Sequence, residues 1–180
     1  MKKTLVMIFH PDIGSSKVNR RWITELEKYP QEFRVHEVYK ACPHSRIDVP
    51  REQALIEEHE VIVFQFPLYW FSSPPLFKQW QDEVLSYGWA YGRNSGFALR
   101  DKRIALSISA GAEEREFGPG GLYRYTLAEL TAPLEVTFHY VKADYRPLFA
   151  FYGAGTRVLP EQIEQGTADY LAWLRRLSAG

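Results

Sequence analysis

Four short apolar runs punctuate the chain: Thr4-Leu5-Val6-Met7-Ile8-Phe9, Val61-Ile62-Val63-Phe64, Ile104-Ala105-Leu106-Ser107-Ile108 and Leu148-Phe149-Ala150-Phe151. Such runs, short and rich in β-branched residues, predict strands covered on both faces of a parallel sheet. Phe33 to Tyr39 alternates only partly and carries Arg34, His36 and Glu37, as an edge strand does. Between these segments the apolar positions change to helical spacing. Val18, Trp22 and Leu26, with Ile23 beside them, share one face of a helix ending near Tyr29-Pro30. Arg51 to His59 reads as a short charged helix with Ala54 and Leu55 as its apolar side, and Leu76, Trp80 and Val84 recur every four residues. Leu127, Leu130 and Leu134 suggest another helix, kinked or interrupted at Pro133, and Ile163, Leu171 and Leu174 fall on one side of a terminal helix from Pro160 to about Leu177. Strand and helix alternate about five times. The expected architecture is one α/β domain over residues 1–180, a three-layer sandwich with right-handed crossovers.

In such a fold, ligands bind beyond the carboxyl ends of the strands, so the loops there matter most. After the first run, His10-Pro11-Asp12-Ile13-Gly14-Ser15-Ser16 leads into the first helix, and Ser15, Ser16, Lys17 and Asn19 offer donors where a helix start can hold a phosphate. The same residues would also serve as ordinary caps. Gly14-Ser15-Ser16-Lys17 lacks the order of a nucleotide-triphosphate loop. After Val61-Phe64, Pro67 ends the strand, and Leu68-Tyr69-Trp70-Phe71 must turn before a helix that Ser72 or Ser73 can cap and that Pro74 and Pro75 open. Three consecutive aromatics in that turn can cover a flat ring or pack on the helix. Ser109-Ala110-Gly111-Ala112 closes the strand after Ile108 with small residues that let backbone N–H groups approach a ligand. Glu113 to Glu116 reads as a solvated loop, Phe117 to Gly121 as a flexible connection, and Gly153-Ala154-Gly155 as a loop without a dinucleotide fingerprint.

Pro67, Leu68-Tyr69-Trp70-Phe71, Ser73-Pro74-Pro75-Leu76, Lys78, Trp80-Gln81-Asp82 and Gly88-Trp89-Ala90-Tyr91-Gly92 together resemble the flavodoxin-like NAD(P)H:quinone oxidoreductases. The similarity is strongest to the short bacterial branch, which includes ancillary oxidoreductase subunits of glutathione-gated potassium efflux systems. It implies a flavodoxin-like, five-stranded parallel sheet of order 2-1-3-4-5. It also implies that His10, Ser16, Lys17, Val18 and Asn19 hold a flavin phosphate, while Pro67 to Phe71 and Ser109, Ala110, Gly111 and Ala112 hold the ring. FMN is the implied cofactor, with FAD used by longer relatives, and NAD(P)H the transient hydride donor. Ala112 stands where the family has a second glycine. Tyr123 is a candidate for the acceptor pocket or for proton donation. A homodimer completed across the subunit contact is implied, with Gly88 to Gly92 either part of that contact or packed on its own domain.

Lysine plus arginine and aspartate plus glutamate number 22 each, which removes nucleic acid as an expected partner and the strongly acidic surface expected of an electron-carrier flavodoxin. A single cysteine, Cys42, cannot form an internal disulfide, and no signal-peptide pattern opens the chain, so a cytoplasmic protein is expected. No apolar stretch approaches the roughly 20 residues of a membrane span, so any inner-membrane contact would be peripheral, through a partner. His36, His44 and His59 lack metal-motif spacing, and no metal is expected. The expected activity is two-electron reduction of quinones or related acceptors by NAD(P)H through FMN. The alternatives are a regulatory ancillary subunit of a potassium efflux transporter and an electron carrier.

Overall fold

The computed structural model describes residues 3–93, 96–155 and 157–179. Strands β1 (Thr4–Ile8), β2 (Phe33–Glu37), β3 (Val61–Pro67), β4 (Arg103–Ser109) and β5 (Asp144–Tyr145) lie in the order β2-β1-β3-β4-β5, every pair parallel. A further strand, β6 (Phe149–Phe151), also pairs with β4. The order expected from the sequence is therefore observed. The fifth strand is split in two: Arg146 N–H still donates to Ile104 O at 2.8 Å, Pro147 has no N–H to give, and pairing resumes with Phe149 opposite Ser107.

Among the described residues six α-helices cover the sheet: α1 (Lys17–Leu26), α2 (Val38–Ala41), α3 (Val49–Glu57), α4 (Pro75–Val84), α5 (Leu127–Tyr140) and α6 (Pro160–Ala179). The two-residue period of the central strands divides the core. Leu5, Met7, Phe9, Ile62, Phe64 and Phe66 face α3, α4 and α5, where Phe64 stacks between Phe77 and Phe138 at 5.1 and 5.0 Å. Val6, Ile8 and Val63 face α1 and α6, where Trp22 stacks on Tyr170 at 4.4 Å. Burial on both faces explains why β1 and β3 read as continuous apolar runs.

Several local expectations are corrected. Val38 and Tyr39 begin α2 instead of prolonging the edge strand. Asp48 caps α3, which starts at Val49, and its buried side is Glu52, Leu55 and Ile56, with Ala54 exposed. Neither Ser72 nor Ser73 caps α4; Pro74 occupies the N-cap position, with no side-chain bond, and Pro75 is the first helical residue. The helix α5 runs through Pro133 without a break and starts from a reciprocal capping box between Thr126 and Glu129. Phe117 to Gly121 forms a tight turn, with Gly121 N–H donating to Gly118 O at 3.0 Å and no room for a Cβ at Gly121 beside the Glu116 backbone.

Candidate functional site

The turns after β1, β3, β4 and β6 converge on one rim and enclose a cavity of about 460 Å³. Its phosphate-like end is built on the start of α1. Ser16 is the N-cap, and its Oγ accepts the Asn19 N–H at 3.1 Å. The Lys17 and Val18 N–H groups lie in the first turn, where no intrahelical carbonyl can reach them, so they are presented at the positive end of the helix. Ser15, Ser16, Lys17, Val18 and Asn19 all line the cavity.

His10 borders the same space. Its Nδ1 accepts the Asp12 N–H at 3.2 Å, so Nε2 carries the ring proton. Partial burial pushes the imidazole below its usual pKa, against the opposing pull of Asp12, which favours this neutral form.

Opposite stand Pro67, Leu68 and Tyr69, with Ser109 and Gly111 below them. Leu68 N–H donates to Ser109 O at 2.9 Å, which ties the two turns together. Tyr69 and Ser72 exchange both backbone bonds at 2.9 Å, closing a two-residue turn in which Trp70 and Phe71 have φ of 47° and 60°. Positive φ at two bulky residues is strained, and here it lifts the Trp70 indole to 94% exposure.

The expected site residues thus separate into two groups. His10, Ser16, Lys17, Val18, Asn19, Pro67, Leu68, Tyr69, Ser109 and Gly111 share the cavity. Trp70, Phe71, Ala110 and Ala112 do not line it. Trp70 projects above the rim, Phe71 meets Tyr123 edge-on at 4.8 Å, and Ala110 is buried. Ala112 packs against the core and uses its carbonyl to accept the Gly153 N–H at 2.8 Å. Tyr123 is half-buried between Phe71 and Phe117, outside the cavity.

Sequence reasoning missed Ala154 and Gly155, which also line the cavity. The signal was present, since both follow an apolar run with small residues, as Ser109 to Ala112 do. A Cβ at Gly155 would stand 3.2 Å from Gly111 O, so the two loops approach as closely as glycine allows. Gly111 and Gly155 also open onto an adjoining cavity of about 660 Å³, bordered by Glu113, Glu114, Glu116 and Arg157. The expected solvated loop is therefore a short 3₁₀ turn, Glu114–Glu116, that walls this second space.

In the Gly88 to Gly92 segment, Trp89 Nε1 donates to Glu57 at 2.6 Å and Ala90 is buried, so this part packs on its own domain. Tyr87 stays exposed beside Tyr91, which in turn meets Tyr140. Among the described residues no group of three metal-ligating side chains is assembled, and no helix is long and apolar enough to cross a membrane.

Residues 2–174 match the family described as having a flavodoxin-like fold. The chain belongs to this family. Within it, general stress protein 14 of Treponema denticola, solved in complex with FMN, is 44% identical, with a TM-score of 0.93 over 97% of this chain and 99% of that one. An NADPH-quinone reductase of P. pentosaceus is 26% identical, with a TM-score of 0.85 over 96% and 97% of the two chains. The uncharacterized NAD(P)H oxidoreductase YrkL of Bacillus subtilis is 46% identical over 151 residues, 84% of this chain and 86% of its own. The potassium-efflux ancillary protein KefG of Cronobacter sakazakii is 37% identical over 172 residues, 96% and 92% of the two.

Proposed function

We propose that this flavodoxin-like protein is an NAD(P)H-dependent oxidoreductase that carries FMN and reduces quinones or related planar acceptors. The observation that carries the reading is the single cavity in which the start of α1 meets the turns after β3 and β4. The donor set fits the cofactor. The Ser16 hydroxyl, the Lys17 and Val18 N–H groups and the Lys17 ammonium suit a phosphate, and the His10 Nε2 proton adds a neutral donor. Pro67 to Tyr69 and the glycines at 111 and 155 leave a slot whose walls are backbone and apolar side chain, suited to a flat ring. The FMN bound to the 44% identical relative supports the same choice over FAD.

FMN held there would supply the two-electron redox chemistry between reduced nicotinamide and the acceptor. The chain binds and orients. Ser16 and the α1 amides would anchor the phosphate, and the Gly111 N–H, at the cavity wall, would favour negative charge on the ring. Trp70 and Phe71 wall the open side, and Tyr123, against Phe71, is assigned to the acceptor pocket. The exposed Tyr87, with Tyr91 and Tyr140 beside it, is assigned to a homodimer contact.

The purified protein is expected to be yellow, to release FMN on denaturation, and to oxidise NADH or NADPH in the presence of a quinone. A colourless protein that takes up no added flavin overturns the reading. Likeness to KefG supports a second role, as an ancillary subunit docked on a potassium efflux transporter. Co-purification with such a transporter tests it, and its absence from detergent-solubilised membranes of the same cells would remove it.

A further inference from the structure

We propose that Tyr170 and Gln65 are positioning residues that fix which way the hydroxyls of the cavity point, and so make it select a phosphorylated flavin over an unphosphorylated one. This rests on the FMN reading above. Gln65 is a primary amide in a strand otherwise apolar from Val61 to Pro67, and it is fully buried. Its Oε1 accepts the Tyr170 hydroxyl at 2.8 Å, from α6, which leaves its Nε2 to donate to Asn19 Oδ1 at 3.1 Å. That contact orients the Asn19 amide in turn: its Nδ2 donates to Ser109 Oγ at 2.8 Å and faces Ser16 Oγ at 3.4 Å. Ser16 Oγ also accepts the Asn19 N–H.

A hydroxyl has one proton and two lone pairs. With their lone pairs turned toward Asn19, Ser16 and Ser109 have their protons left for the cavity that both line. Every link from α6 through the sheet therefore donates in one direction, and the last donors meet the ligand. An ionised phosphate offers only acceptors, which is the complement of this arrangement. Burial strengthens each link and makes a reversed one expensive.

Tyr170 touches neither cavity, so its part is indirect. Without its hydroxyl, which also lies beside the buried Ser107 hydroxyl, Gln65 Oε1 loses the bond that fixes it, and the amide is free to turn its oxygen toward Asn19. Asn19 then turns too, and Ser109 donates inward to Oδ1 instead of outward.

The test titrates the full chain with FMN and with riboflavin, following flavin fluorescence. Tyr170→Phe is expected to weaken FMN about tenfold, one buried hydrogen bond's worth, and riboflavin by less than about threefold. Gln65→Glu, which keeps the acceptor for Tyr170 and removes the donor to Asn19, is expected to give the same selective loss. Trp173→Phe alters a ring 5.9 Å from Tyr170 without touching the relay, and should lower the melting temperature with the FMN-to-riboflavin ratio unchanged. An unchanged ratio in Tyr170→Phe overturns the relay, whatever happens to stability. A parent protein that binds neither flavin overturns the cofactor reading, and the proposal with it.

Discussion

Trp80 Nε1 donates to Glu52 Oε2 at 2.9 Å, while the other oxygen of the same carboxylate lies 2.8 Å from His36 Nε2. Glu52 is 1% exposed, so α3, α4 and β2 are joined by one buried acidic group. Replacing it with an apolar residue strands the buried Trp80 Nε1 and the part-buried His36 Nε2. Glu52→Leu is expected to lower stability by about 3 kcal/mol, and Glu52→Gln, which retains an acceptor for Trp80, by about half of that. Urea denaturation at pH 7 measures both, with a lowered midpoint and an unchanged slope.

Trp70→Gly separates stability from function. The indole contributes almost no burial, and its φ of 47° disfavours any residue with a Cβ. Glycine there should raise stability by about 1 kcal/mol, or leave it unchanged where added chain entropy offsets the relief. Steady-state turnover with a quinone should fall at least about tenfold through lost positioning. A variant that melts lower while keeping full turnover contradicts both expectations.

Gly166 lies inside α6, where alanine would ordinarily gain about 1 kcal/mol. Here a Cβ would run into the Phe151 ring. Overpacking of this kind costs about 1–3 kcal/mol, so Gly166→Ala is expected to destabilise the protein by about 1 kcal/mol net. Phe151 precedes the loop carrying Ala154 and Gly155, so flavin affinity should fall in the same titration. Thermal melts with and without FMN separate the two effects.

Acid should loosen the fold from near neutrality. Burial lowers the pKa of both His10 and His59, and His59 donates from Nδ1 to Leu55 O at 2.8 Å. A histidine with a lowered folded pKa binds its proton more readily when unfolded. Its contribution is therefore intact above about 6.5, the unfolded value, and is lost as pH falls from there toward the folded value. Urea midpoints measured from pH 7.5 to 5 should decline below about 6.5, and His59→Gln should flatten part of that slope.

The central strands were legible because β1 and β3 are covered on both sides and so needed unbroken apolar runs, whereas their order came from the family resemblance. The cavity was legible wherever small or hydroxyl residues begin a helix or end a strand, as at Ser16 and Ser109. Glu52 was not, because a carboxylate in a charged segment looks solvated until Trp80 and His36 arrive from distant elements. Gln65 was hidden for the same reason, since its partners Asn19 and Tyr170 are 46 and 105 residues away. Ser72 and Ser73 misled in the opposite direction, for the bond between Tyr69 and Ser72 closes the aromatic turn and leaves Pro74 to begin the helix.

The loop after β4 is stitched to the segment after β6 entirely by main-chain bonds, from Ala110 to Phe151, Gly153 to Ala112 and Ala154 to Ala110, each 2.8 Å long. Peptide groups are common to every residue type, so the floor of the cleft is indifferent to most exchanges of side chain along it. At position 112 only the carbonyl takes part, so the methyl of Ala112 leaves the seam unaltered.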